Sequence, residues 1–357
     1  GAVGYEVMLA KMLRTMPSPE RVRIVSEQDR AGSTLLHYAA CSGNVESMRH
    51  ILTLVPESMR VEIVNEEDDN GMLVLHYLAK RCASGPDKIE GIKALLALCP
   101  ESERIQALHR ENISGMTVLH YVAASGNVAC VKTILAFYTE SERLHALSIR
   151  DNYNMTALHC AAASGDLASI KLILDLYPEA DHSVALHAES ESNRLQALMA
   201  QDQDGCTVLH HIASSSNYEC ISTILSPYPE SECLRVLNMA HRYGGTVLHS
   251  VARTGNVECI KSTLTLLPES ERLHSVTIGD EYGWTVLHHA ARSTNPESLK
   301  YILTELPESD RLQAVNKQDQ QGKTVLDCLS GETLESIVQL LPKSTAPTTL
   351  PTEEVDV

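Results

Sequence analysis

A short apolar run ending in histidine returns along this chain at nearly constant spacing, and that register constrains the fold more than any other feature. It reads Leu35-Leu36-His37, Val74-Leu75-His76, Val118-Leu119-His120, Ala157-Leu158-His159, Val208-Leu209-His210, Val247-Leu248-His249 and Val286-Leu287-His288. An eighth copy, Val325-Leu326-Asp327, exchanges the histidine for aspartate. Successive anchors lie 39, 44, 39, 51, 39, 39 and 39 residues apart. A second landmark recurs as Pro17, Pro56, Pro100, Pro178, Pro229, Pro268 and Pro307, with Thr139 at the same register point of the third repeat. The two long steps are insertions into a fixed scaffold, one around Ser84-Gly85-Pro86-Asp87 and one after Pro178. A fixed period of this size is the mark of stacked supersecondary units, each held by its neighbours.

Within each unit the local signals agree. Asp202-Gln203-Asp204-Gly205 carries the chemistry of a tight turn. Thr207 then opens a short helix with Val208, Leu209, Ile212 and Ala213 on one side. Gly126 followed by Asn127 closes one helix and caps the next, and Asn295-Pro296 does the same with proline in the first turn. A second helix, such as Val128 to Phe137, has helical apolar spacing. A third segment follows each landmark proline, as in Pro268-Glu269-Ser270-Glu271-Arg272-Leu273-His274-Ser275-Val276. Its apolar pairs at i, i+3 are Val61/Val64, Ile105/Leu108, Leu144/Leu147, Leu234/Leu237 and Leu312/Val315. One amphipathic turn is expected, with Glu and Arg facing water.

Composition narrows the function. Aromatic residues make up 4% of the chain, with one Phe and one Trp, which suits a thin stack of aliphatic helices better than one thick core. A formal charge of −17 opposes phosphate neutralisation, so nucleic acid and anionic membrane surfaces are not expected partners. No apolar run approaches the roughly 20 residues that a membrane-spanning helix needs. The ten cysteines are scattered with no CxxC pair, which fits a reducing, cytoplasmic setting. Gly1 is not an initiator methionine, so the native N-terminus is expected to lie upstream.

The pattern Asp-x-x-Gly-x-Thr-x-Leu-His-x-Ala-Ala, followed by Gly-Asn/Asp and an apolar helix, resembles the ankyrin repeat. Asp29 to Ala40, Asp151 to Ala162 and Asp280 to Ala291 show it best. The resemblance covers roughly residues 5–342 in eight registered copies. Two departures stand out: Val, Ala or Leu replaces the proline of the family's Thr-Pro-Leu-His, and the period is 39 residues where about 33 is typical. The resemblance implies an all-α solenoid with short β-hairpin-like turns, here with an extra short helix per repeat. Lengthened arrays of this style are also similar to those of secreted effector proteins of intracellular bacteria, which implies a virulence role in a host-cell cytosol.

The expected organisation is a capping half-repeat at 1–27, an array of about eight repeats at 28–342 with insertions near 82–87 and 179–190, and a disordered acidic tail at 343–357. Atypical polar ends are what a stack needs in order to stop.

The anchor histidines are read as framework residues. Copies about 10 Å apart at helix-packing distances cannot share an ion bound at about 2 Å. In the ankyrin family this histidine ties the turn together through its ring nitrogens. Cys130, Cys220 and Cys259 share one repeat position with Gly91 and Ser169, as a packed small residue would and a metal ligand would not. No catalytic, cofactor or metal set is expected, and a role for the 179–190 insertion stays open.

Binding is the expected activity, since ankyrin proteins engage partners through turn tips and the concave face of the first helix. Carried onto this sequence, tip positions include Tyr153, Tyr243 and Tyr282, and one cluster is Tyr38, Tyr77 and Tyr121 with Met72, Met116 and Met155 along one stripe. A second is Tyr243, Tyr282 and Trp284 with Arg253 and Arg292. Aromatic residues, Met and Arg are what binding cores favour. The competing reading is that the tyrosines only pack against neighbouring helices. The expected whole is a monomeric protein-binding scaffold in acidic surroundings that favour a basic partner, or else the targeting module of an enzyme whose catalytic domain lies elsewhere.

Overall fold

The computed structural model describes residues 15–85, 87–178, 193–215 and 217–342. Among them every regular element is helical: 23 α-helices and two short 3-10 turns, with no strand. The chain divides into two compact units, one ending at Glu179 and one beginning at Ala180, and each is a stack of three-helix repeats.

The third repeat shows how sequence makes the unit. Its helices are Val118–Ala124, Val128–Leu135 and Glu140–Ser148. The first begins at Thr117, whose backbone N–H and hydroxyl both meet His120 Nδ1, at 3.2 and 2.9 Å. A backbone N–H can only donate, so Nδ1 is the bare nitrogen and Nε2 carries the proton. Nε2–H donates to the Met155 carbonyl of the next repeat at 3.2 Å. His37 reaches Met72, His76 reaches Arg110, His210 reaches Gly245 and His288 reaches Lys323 in the same way. The anchor therefore fixes its own helix start and also staples one repeat to the next. In the second repeat Leu73 stands where the others have threonine, and His76 receives the backbone N–H alone.

Asn127 accepts from Ala129 and Cys130 and starts the second helix. Both helices turn their apolar stripes inward: Val118, Leu119, Val122, Cys130, Val131 and Ile134 are fully buried. Burying each large aliphatic side chain contributes about 1.5–3 kcal/mol. Cys130, Cys220 and Cys259 are buried at their shared position, as a small packed residue requires.

The third helix forms as expected, but two details differ. Its buried residues are consecutive, Ala146-Leu147 in this repeat, with Ile63-Val64, Ala107-Leu108, Val236-Leu237 and Ala314-Val315 elsewhere. The first member of the expected i, i+3 pair is outside this core; Leu144 is exposed. The arginine of the Glu-Ser-Glu-Arg segment does not simply face water. Arg60, Arg104 and Arg143 turn back and donate from Nε to Leu52, Leu96 and Leu135, at 3.0, 2.9 and 2.9 Å. Those carbonyls end the second helix, where orphan acceptors and the negative end of the helix dipole both favour a cation. Cys233 holds this position in the fifth repeat and offers its S–H to Leu225 O at 3.5 Å.

Neighbouring turns are joined along their tips. Asp69 N–H donates to Ala31 O, Asn152 to Ser114, Arg242 to Asp204 and Glu281 to Tyr243, at 2.8–3.0 Å. The approach is close enough that a Cβ on Gly244, whose φ is +78°, would sit 2.9 Å from Glu281 N. Only glycine meets both demands there.

The insertion near 82–87 becomes a 3-10 turn at Cys82–Ser84 and a second helix lengthened to Asp87–Leu98. The eighth copy shortens its first helix to the 3-10 turn Leu326–Cys328, and Asp327 Oδ2 takes over the histidine's task by accepting from Thr324 N and Oγ1. Residues 1–14 of the expected cap, the 179–190 insertion and the 343–357 tail lie outside the described residues.

Candidate functional site

In five repeats the turn begins with a polar side chain that partners the residue after the anchor. The Tyr38 hydroxyl donates to Asp29 Oδ2, and Tyr77 donates to Asp68 Oδ2 at 2.6 Å. Asn112 Nδ2 donates to the Tyr121 hydroxyl at 2.9 Å, and His211 and His289 meet Asp202 and Asp280 at 2.9 and 3.0 Å. Burial and the Asp68 carboxylate push the Tyr77 phenol up to about 12. The first cluster thus serves the scaffold at its polar ends. Met72 is buried, with the Tyr121 hydroxyl and Asn112 amide against its sulfur at 3.4 and 3.3 Å, so it lies beneath the stripe. Met116 and Met155 are half-buried; Tyr38 and Tyr153 are well exposed.

The sixth repeat breaks this arrangement at three positions. His241 replaces the turn aspartate or asparagine, Gly245 stands where four repeats carry Met72, Met116, Met155 or Trp284, and Ser250 stands where the others carry Tyr, His or Cys. His241 Nδ1 still accepts the Tyr243 N–H at 3.1 Å, as an aspartate would, but no bond joins it to Ser250. Two missing side chains leave a concave pocket of about 580 Å³. Gly245 is what admits the imidazole: a Cβ there would lie 2.5 Å from His241 Nε2.

The expected second cluster converges on this pocket. Tyr243, Arg253, Tyr282 and Trp284 line it, with Ser250, His249 and Arg253 supplied by the helix Val247–Thr254. Trp284 is fixed on three sides. Its indole N–H donates to Asp319 Oδ2 at 3.1 Å, the His289 ring meets it edge-on at 5.4 Å, and Arg292 lies over its face at 4.7 Å. Arg292 therefore touches the site through Trp284. Tyr243 and Tyr282 stand at the rim, 44% and 58% exposed, and Arg242 stacks on Tyr243 at 5.1 Å.

The polar floor is less open to chemistry than its residue types suggest. Asp280 Oδ1 accepts from Tyr282 and Trp284 backbone N–H groups, both at 2.9 Å, and Oδ2 is engaged by His289. His249 donates to Ile278 and Trp284 carbonyls at 3.1 Å, and burial, aided by nearby His289, holds its pKa down to about 4. Burial lowers His241 as well. Among the described residues no group of three or more His, Cys, Asp or Glu is placed to hold a metal ion. His241, Gly245, Ser250, His249, Asp280 and His289 had not been picked out as site residues. Reading each repeat column for its smallest member as well as its largest would have found Gly245 and Ser250.

The family described as "Ankyrin repeats (3 copies)" matches residues 80–185 and 230–310, more than half of the chain and including the pocket. The chain belongs to the ankyrin-repeat family. Among solved structures it is similar to the human ASB11 ankyrin repeat domain, at 19% identity and a TM-score of 0.53, over 75% of this chain and 97% of that one. That likeness concerns the fold. No curated protein matches the sequence significantly. Ankyrin repeats are a general protein-interaction scaffold, and their stacked units create extended concave binding faces. Among the described residues no helix is long and apolar enough to cross a membrane.

Proposed function

We propose that this ankyrin-repeat chain captures a protein partner at the pocket of its sixth and seventh repeats, with Trp284 as the central anchor and Tyr243, Tyr282, Arg253 and Arg292 around it. The supporting observation is the cavity left where Gly245 and Ser250 replace large side chains, with a braced tryptophan as one wall. Binding energy concentrates where aromatic and arginine side chains surround a preformed recess. Tyr38, Tyr77, Tyr121, Met116, Met155 and Tyr153 form a secondary surface in the first unit, with Met72 supporting it from below. Action inside a host-cell cytosol as a secreted effector extends the same reading.

The test uses the whole chain as bait in a cell lysate, beside Trp284→Ala and Ser250→Tyr. The second variant restores the bulk that the first three repeats carry at that position. Loss of the same captured protein by both variants, at unchanged helical circular dichroism, is expected. Capture equal to wild type by both removes the proposed surface.

A further inference from the structure

We infer that the pocket accepts an acidic peptide segment, whose carboxylate pairs with Arg253 while its apolar flanks lie on Tyr243 and Trp284. This rests on the pocket being the docking site. Among the described residues Arg253 has no carboxylate partner, whereas Arg242 is paired with Asp204 at 2.7 Å and His289 with Asp280 at 3.0 Å. A second donor lies at the floor. Because His241 Nδ1 accepts the Tyr243 N–H, its Nε2 carries the proton, and that atom lies against Gly245 with no acceptor among the described residues. The Ser250 hydroxyl lines the same pocket, with no side-chain partner among the described residues, and adds a third.

A cationic guest fits less well. The one carboxylate in the lining, Asp280, already accepts two backbone N–H groups and His289. Arg292 already lies over the Trp284 face, where a guest cation would seek the ring. The overall charge of −17 does not reverse this, because exposed charges more than about 8 Å away are largely screened at physiological ionic strength. The nearby acids Asp202 and Asp204 are themselves paired, with His211 and Arg242, which leaves Arg253 the unpaired charge of the lining. A volume of about 580 Å³ holds more than one side chain, so the guest is a short stretch of chain with the acid at its centre.

The probe is a set of degenerate nonapeptide pools with the central residue fixed as Glu, Asp, Gln, Lys or phosphoserine, tested on the full chain. Glu and Asp pools are expected to bind about fivefold better than Gln or Lys pools, the scale of a partly exposed ion pair. Arg253→Ala removes that preference and Arg253→Glu transfers it to the Lys pool. Ser250→Tyr, or Gly245→Met as a second filling variant, weakens every pool. If filling abolishes binding but the wild type shows no acid preference, or prefers Lys or phosphoserine, the acidic guest is wrong while the pocket stands. If filling changes nothing, both the guest and the docking site fall.

Discussion

Trp284 donates its indole N–H to Asp319, the turn residue of the following repeat, at 3.1 Å. The bond immobilises the largest side chain of the pocket before any partner arrives, which lowers the ordering cost of binding. It also makes the only tryptophan of the chain a reporter on the site.

Asp319→Ala should release the indole and shift the Trp284 emission maximum to the red, with a stability loss of about 2–4 kcal/mol, because Asp319 Oδ1 also accepts the Gln321 and Lys323 backbone N–H groups. Arg292→Ala should alter the emission intensity, since the guanidinium covers the ring face at 4.7 Å. Fluorescence of each purified variant checks this. Spectra identical to wild type in both would mean that the ring is not braced as described.

The anchor histidines make the fold sensitive to mild acid. Burial is the chief cause holding His76, His210 and His249 at about 4, and it lowers His37, His120 and His288 too. An unfolded histidine titrates near 6.5. Between those values the unfolded chain binds more protons than the folded one, so the contribution is complete above about 6.5 and drains as pH falls toward 4. Each of the three most shifted residues removes roughly 3 kcal/mol by the bottom of that window. Urea midpoints should therefore fall steadily from pH 7.5 to 5, before carboxylates titrate. A flat midpoint over that range would contradict the buried neutral imidazoles.

Arg104 donates to Leu96 O at 2.9 Å and to Cys99 O at 3.1 Å. Arg104→Met keeps much of the stem and removes both bonds, at a cost of about 1–3 kcal/mol. Arg104→Lys should recover part of the loss, because an ammonium complements the helix end without the two-pronged geometry. Chemical denaturation ranks the three proteins. If Arg104→Met unfolds at the wild-type midpoint, the arginine is not a helix cap.

Tyr77→Phe and Tyr38→Phe separate scaffold from surface. Tyr77 is partly buried and bonded to Asp68, so losing its hydroxyl should cost about 1 kcal/mol. Tyr38 makes the equivalent bond at a site 57% exposed, where water substitutes, and its loss should be smaller. Thermal midpoints that fall in the opposite order would refute this division.

The ankyrin-type fold, the three helices and the structural use of His37 to His288 were legible in the sequence, because each depends on local chemistry in a fixed register. Threonine three residues before histidine and asparagine or aspartate after glycine are interactions within one turn. What was hidden spans repeats or depends on an absence. The return of Arg60, Arg104 and Arg143 onto the second helix requires knowing how the third helix folds back. The burial of Met72 comes from Tyr121 of the next repeat. The pocket was half visible: Trp284 and the two rim tyrosines stand out as large residues, whereas Gly245 and Ser250 matter because of volume they do not fill.

The third helix of each repeat has a consequence for how such an array can change length. In the first three repeats its arginine answers carbonyls that exist only because the preceding helix ends there. Trimming the segment to reach the shorter period of about 33 residues would strip away that donor in the same step, leaving the helix end unanswered. Shortening one repeat at a time thus runs uphill, which locks the longer unit in once several copies share it.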